Sequence, residues 1–153
     1  IEAELMDAEE RIVLEPGRSI SGNAGVLLTK VEYIKDNFLI ADAAMNDLLR
    51  PALYKAKHDV WSLTESKAND QVWTIVGPVC ESADVIAKDH PINADVGDIL
   101  AIKTAGAYGF VMSSNYNSRV RPAEILVDGK TFNVVRSRES FDDLIKNEIN
   151  LDD

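Results

Sequence analysis

One cysteine and two histidines leave little material for two large classes of protein chemistry in a chain of 153 residues. Cys80 has no second cysteine with which to close a disulfide, and His58 and His90 stand too far apart in sequence to build a zinc cluster, so no metal is expected. Such cysteine usage suits a reducing compartment, the cytoplasm. Apolar runs are short. None approaches the ~20 residues of a membrane-spanning helix, and residues 1–10, which are acidic, lack the basic and apolar regions of a secretory signal. Positive charge is scarce too, with 16 Lys and Arg against 26 Asp and Glu and a net charge of -10. A nucleic-acid surface, which needs clustered Lys and Arg, is therefore not expected. An initiator methionine is missing as well: the chain opens at Ile1 in a weakly amphipathic, helix-like stretch, as a piece or processed product of a longer protein would.

What remains is an ordinary globular composition, 46% hydrophobic and 27% charged, at the length of one domain and with no repeat or low-complexity segment. Its pattern is mainly β. Residues 11–14 read as a short buried strand, 24–34 and 37–44 as an antiparallel pair turning at Lys35-Asp36-Asn37, and 60–63, 71–76 and 99–102 as further strands. Residues 64–70 are a polar connection, while Val85, Ile86 and Ile92 read as isolated apolar contacts. Trp61 and Trp73, both on strands, suit a core or a cross-strand contact. Asn46 can cap a helical turn at 47–50 that Pro51 interrupts. Residues 124–127 and 131–135 flank Asp128-Gly129, a hairpin signal, and Ser137 can cap a last helix with Phe141, Leu144 and Ile145 on one face, ahead of an acidic, frayed end. Seven or so short strands with little helix suit a sandwich or barrel.

Chemistry concentrates in four short stretches. Residues 71–76 alternate like a strand that Gly77-Pro78 stops, which delivers Cys80 and Glu81 into a loop at a sheet edge. The plain alternative is that Cys80 is a small buried hydrophobe and Glu81 a solvated acid. Glu15-Pro16-Gly17-Arg18-Ser19 is either a type II turn centred on Pro16 and Gly17 or an anion-binding turn into a helix capped by Ser19. Arg50 and Tyr54, four residues apart, share a helix face and set a guanidinium fork beside a phenol, or else are a surface Arg and a half-buried Tyr. Thr104-Ala105-Gly106-Ala107-Tyr108-Gly109 lets backbone approach a flat ligand closely under one aromatic ring, or packs tightly against another element.

Taken in order, these stretches, followed by Met112-Ser113-Ser114-Asn115-Tyr116-Asn117 and Arg121-Pro122-Ala123-Glu124, resemble the motifs of the diaminopimelate decarboxylase family over nearly the whole chain. The resemblance implies a fold-type III, alanine-racemase-like decarboxylase that uses pyridoxal 5'-phosphate. It places residues 1–24 as a remnant of the N-terminal α/β barrel, its last strand and the Glu15–Arg18 turn, and residues 25–153 as the C-terminal β-sandwich or barrel domain. It also implies a homodimer with shared sites. Residue by residue, it gives Glu15, Pro16, Gly17, Arg18 and Tyr108 to the cofactor, and Arg18, Arg50, Tyr54, Glu81 and Tyr108 to meso-diaminopimelate. Cys80 takes the position that returns a proton to the reaction centre. Residue chemistry agrees: Arg and Tyr suit the distal carboxylate, Glu suits the distal ammonium, and a thiol carries its proton at neutral pH. The Schiff-base lysine of the family lies on the barrel before the match begins, so the chain alone is expected to be inactive. The alternatives are the equivalent domain of an ornithine, arginine or carboxynorspermidine decarboxylase, and a non-catalytic dimerisation or binding module.

Overall fold

The structure, a computed structural model, describes residues 13–64 and 71–151. A single helical turn, α1 (Arg18–Ser21), and a 3-10 turn, Gly22–Ala24, lead into β1 (Leu27–Lys35). In β1, Thr29 and Val31 face inward, and in β2 (Phe38–Ala41), Leu39 and Ala41 do, the two-residue spacing of a pleated strand with one buried face. The two strands pair antiparallel around Asp36, whose φ of 54° is left-handed, a conformation that Asp tolerates. After α2 (Arg50–Tyr54) come β3 (Val60–Ser62), β4 (Gln71–Val76), β5 (Val85–Ile92) and β6 (Ile99–Ile102). They complete a sheet in the order β3-β6-β1-β2-β4-β5, antiparallel throughout except where β2 meets β4. A parallel pair requires a crossover, and α2 and β3 both fall within the stretch between β2 and β4.

The two ends of that order meet. His90 of β5 donates from Nε2 to the Val60 carbonyl of β3 at 2.8 Å, so the sheet curls into a nearly closed barrel. Val31, Leu39, Trp73, Ile75, Leu100 and Ile102 fill its interior, each burial of an aliphatic side chain contributing about 1.5–3 kcal/mol. Trp73 satisfies its indole N–H on the Ile92 carbonyl at 3.1 Å. Trp61 faces the other way, exposed, with the Lys103 ammonium 3.6 Å above its ring.

Several expectations are corrected. Val85, Ile86 and Ile92 are not isolated contacts but parts of one strand, β5. Asp89 at φ 49° and Pro91 break its apolar rhythm, which is tolerated because β5 ends the sheet order and Pro needs no ladder partner there. The helix foreseen at 47–50 begins at Arg50, with Pro51 in its first turn, where the absent N–H costs nothing. Asn46 caps nothing: its amide donates to Asp47 and to the Ser114 carbonyl. The hairpin of β7 (Glu124–Asp128) and β8 (Thr131–Arg136) turns on Gly129 and Lys130, one residue later than Asp128-Gly129, with Asp128 paired to Thr131. Ser140 rather than Ser137 caps α3 (Phe141–Ile145), through a reciprocal box with Asp143. Of the strand foreseen at 11–14, Val13 and Leu14 belong to no strand among the described residues and are 70% and 79% exposed, while Arg11 and Ile12 lie outside the described residues. The helix-like residues 1–10 and most of the polar connection, 65–70, lie outside them as well.

Candidate active site

Arg50 opens α2 and Tyr54 closes it four residues later on the same face. Lys55, at φ 53°, ends the helix and returns its N–H to the Arg50 carbonyl. The guanidinium carbon of Arg50 lies 5.6 Å from the Tyr54 ring centre and 6.0 Å from that of Tyr108, so one cation stands against two phenol rings.

Arg18 approaches from α1 and is held on the segment that carries Tyr108. Its Nη2 donates to the hydroxyl of Thr104 at 2.7 Å and to the Thr104 carbonyl at 3.2 Å, across 86 residues. Backbone bonds staple the two segments: Ala105 N–H to the Gly25 carbonyl at 2.9 Å and Gly106 N–H to the Gly22 carbonyl at 3.1 Å. Gly106 has no alternative here, because a Cβ on it would collide with the Ser21 carbonyl. The type II turn is excluded, since Gly17 has φ -114° where that turn needs a positive value. Ser19 sits inside α1 and caps nothing, because the N-cap position belongs to Gly17. Glu15 and Pro16 are exposed just before this turn.

His58, which sequence reasoning passed over, lies beneath this cluster at 4% exposure. Its Nδ1–H donates to the Lys103 carbonyl at 2.8 Å, with the Thr104 hydroxyl 3.3 Å away. Burial lowers its pKa, the carbonyl bond partly opposes this, and the charges of Arg18 and Arg50 lower it further. A neutral imidazole is what two neighbouring guanidiniums require.

Both arginines are under-used. The Nε atoms of Arg18 and Arg50 are buried and have no hydrogen-bond partner among the described residues. Buried donors of this kind are expected to be paired, and a carboxylate or phosphate brought between them would supply acceptors in the geometry a guanidinium prefers. Gly17, Arg18, Arg50, Tyr54 and Tyr108 thus converge on one place suited to an anion beside aromatic rings.

Cys80 and Glu81 stand on the next loop. β4 ends at Val76, and Gly77 packs so closely on Asp84 and on the Ala43–Ala44 backbone that a Cβ would collide. Val79 is buried while Cys80 and Glu81 are exposed, which corrects the plain alternative for Cys80. The Glu81 carboxylate accepts from the Ser82 hydroxyl at 3.2 Å and the Ala83 N–H at 3.4 Å. A cleft runs between the two groups, with Pro51, Ala52 and Lys55 on one wall and Ser82 and Ala83 on the other. The cysteine loop therefore borders the arginine helix without joining the arginine–tyrosine cluster. The supporting residues His58, Thr104 and Asp84 have no sequence signal of their own, because their partners are distant in the chain.

Comparison with known proteins gives a consistent picture. The family model described as pyridoxal-dependent decarboxylase, C-terminal sheet domain, matches residues 6–106. The diaminopimelate decarboxylase of Pseudomonas aeruginosa is 54% identical over 141 residues, which are 90% of this chain and 34% of that protein. That of Vibrio cholerae is 50% identical over 149 residues, 92% of this chain and 36% of that protein. The solved structure of the Helicobacter pylori diaminopimelate decarboxylase complexed with L-lysine aligns with a TM-score of 0.83 at 43% identity, over 96% of this chain and 37% of that one. The chain spans about a third of the length of the relatives it matches.

Proposed function

The chain belongs to the pyridoxal-dependent decarboxylases, whose C-terminal sheet domain it carries, and on that premise we propose that it forms the C-terminal part of a diaminopimelate decarboxylase. The reaction is the conversion of meso-2,6-diaminopimelate to L-lysine and carbon dioxide. The observation that carries this reading is the Arg50 guanidinium against the rings of Tyr54 and Tyr108, with Arg18 held on Thr104 in the segment that carries Tyr108, the Nε of each arginine buried and unpartnered among the described residues. In the same reading residues 1–24 belong with an α/β barrel and residues 25–153 are the β domain.

The residues present fit the cofactor in kind: an anion-seeking pair of guanidiniums, a phenol, and a glycine turn that leaves room beside it. Glu15, Pro16, Gly17 and Arg18 with Tyr108 would hold pyridoxal phosphate, which when bound supplies the sink for the electron pair of the breaking carbon–carbon bond. Arg50 and Tyr54 grip the distal carboxylate of the substrate, with Arg18 and Tyr108 also in reach of it, and Glu81 takes the distal ammonium. Cys80 holds a proton on Sγ and gives it to the carbon that has lost carbon dioxide. Its exposure on a loop tip outside the arginine–tyrosine cluster supports a homodimer in which one subunit's loop completes the other's site. The free thiol supports a cytoplasmic location. Among the described residues no helix is long and apolar enough to cross a membrane.

The deciding experiment offers the complete enzyme meso-diaminopimelate, ornithine, arginine and carboxynorspermidine and compares kcat/KM by carbon dioxide release. Diaminopimelate should lead by two orders of magnitude or more, roughly the penalty for leaving buried arginine donors unpaired. Equal or better use of ornithine would overturn the assignment.

A further inference from the structure

Asp84 is a carboxylate at 3% exposure that no step above uses. Its two oxygens point to different segments: Oδ2 accepts from the Val79 N–H at 2.8 Å and Oδ1 from the Met45 N–H at 2.7 Å. Its main chain closes the same loop, the N–H donating to the Glu81 carbonyl at 3.0 Å and the carbonyl accepting from Gly77 at 3.1 Å. Four hydrogen bonds of one residue thus fix both flanks of the loop, and three of them fall on Gly77, Val79 and Glu81. Cys80 lies between the last two, carried at the tip and tied down on either side. The bare Gly77 backbone has the same cause, since a side chain there would strike Asp84 Oδ2. Burial raises the pKa of Asp84, opposed by those two backbone N–H groups and by Arg119, so the carboxylate sits there at a cost that calls for a compensating role.

We propose that Asp84 is a positioning residue for Cys80, its carboxylate pinning the 77–84 loop to the Met45 backbone so that the thiol is presented at one fixed height above the sheet edge. The proposal rests on the assignment of Cys80 as proton donor. A carboxylate is required because two N–H groups must be met from two directions. An asparagine offers one oxygen and turns its NH2 toward the other N–H, donor against donor. The shape is kept and the loop is freed.

In the complete enzyme, Asp84→Asn should slow lysine formation about 10- to 100-fold, the usual cost of misplacing a reacting group by about 1 Å. Carbon dioxide should exceed lysine in the products, while KM for diaminopimelate stays within about threefold, the split expected of a group that acts only on the chemical step. Combining Asp84→Asn with Cys80→Ala should add nothing to Cys80→Ala alone, because a residue acting through the thiol has no effect once the thiol is gone. If Asp84→Asn yields no folded enzyme, Asp84→Glu, which keeps both acceptor oxygens at a shifted height, carries the same test. Equal carbon dioxide and lysine from the Asp84 variant, or losses that multiply in the double variant, would overturn the positioning role while leaving Cys80 in place. Unaltered products and rate from Cys80→Ala alone would instead remove the donor assignment, and the positioning role with it.

Discussion

A Cβ built on Gly17 would lie 3.1 Å from the phenol oxygen of Tyr108, closer than such contacts ordinarily come. Gly17→Ala should therefore displace Tyr108 and weaken cofactor retention in the complete enzyme, at a cost of about 1–3 kcal/mol, the usual range for overpacking. Adding Tyr108→Phe, which removes the crowded oxygen, should recover part of the loss. Pyridoxal phosphate absorbance after extended dialysis measures it, and a Gly17→Ala enzyme that keeps its full cofactor would contradict the expectation.

Arg50→Met should raise KM for diaminopimelate more than it lowers kcat. The guanidinium would meet the unreacting end of the substrate, in ground and transition states alike. The expected loss is about 1.5–3 kcal/mol, the range for a hydrogen bond to a charged group. Steady-state kinetics decide it, and an unchanged KM with a collapsed kcat would place Arg50 at the wrong end.

Cys80→Ala should slow lysine formation by roughly 10²–10⁴-fold, the usual worth of a positioned general acid, with little change in KM. Loss of carbon dioxide does not need the thiol, so carbon dioxide should outrun lysine and activity should decay during turnover as protons arrive at the wrong atom. Paired assays of the two products over time give the readout. A variant that releases both in equal amounts at the unmutated rate would return Cys80 to the role of a bystander.

Acid should weaken the attachment of the β7/β8 hairpin before it melts the barrel. The Glu139 carboxylate accepts from Arg121 Nε at 2.6 Å, from the Arg121 N–H at 2.8 Å and from Asn115 at 2.7 Å, and the Arg121 guanidinium foremost pulls its pKa down to about 2. Because the folded value lies below the ordinary one, this stabilisation is complete above about pH 4.5 and is lost as pH falls toward 2. Buried Asp47 and Asp84, raised by desolvation, act in the opposite sense over the acid range. The clean measure is therefore the urea midpoint of Glu139→Gln against the unmutated chain at pH 7 and at pH 3. A difference of about 1 kcal/mol at pH 7, allowing for solvent screening of a partly exposed pair, should shrink at pH 3. A constant difference would show that the charge on Glu139 is not what matters.

Sequence alone determined whatever rests on neighbours in the chain. The β1/β2 hairpin could be read because apolar alternation and turn residues lie within a dozen positions, and β7/β8 because Gly129 marks its reversal to within one residue. The helical face shared by Arg50 and Tyr54 follows from a four-residue spacing. The end of β4 at Gly77-Pro78 is equally local. β5 escaped because Asp89 and Pro91 interrupt its period, and only its place at the end of the sheet order makes that interruption tolerable. Six letters around Cys80 could not say that Val79 turns inward and Cys80 outward, since the strand period stops at Gly77 and tertiary bonds to Asp84 set the rest. Only the tertiary structure set Arg18 on Thr104 across 86 residues and Met45 on Asp84 across 39. Folding buries the Asp84 carboxylate, the His58 imidazole and the Nε donors of Arg18 and Arg50, and burial makes each pairing, or its absence, consequential.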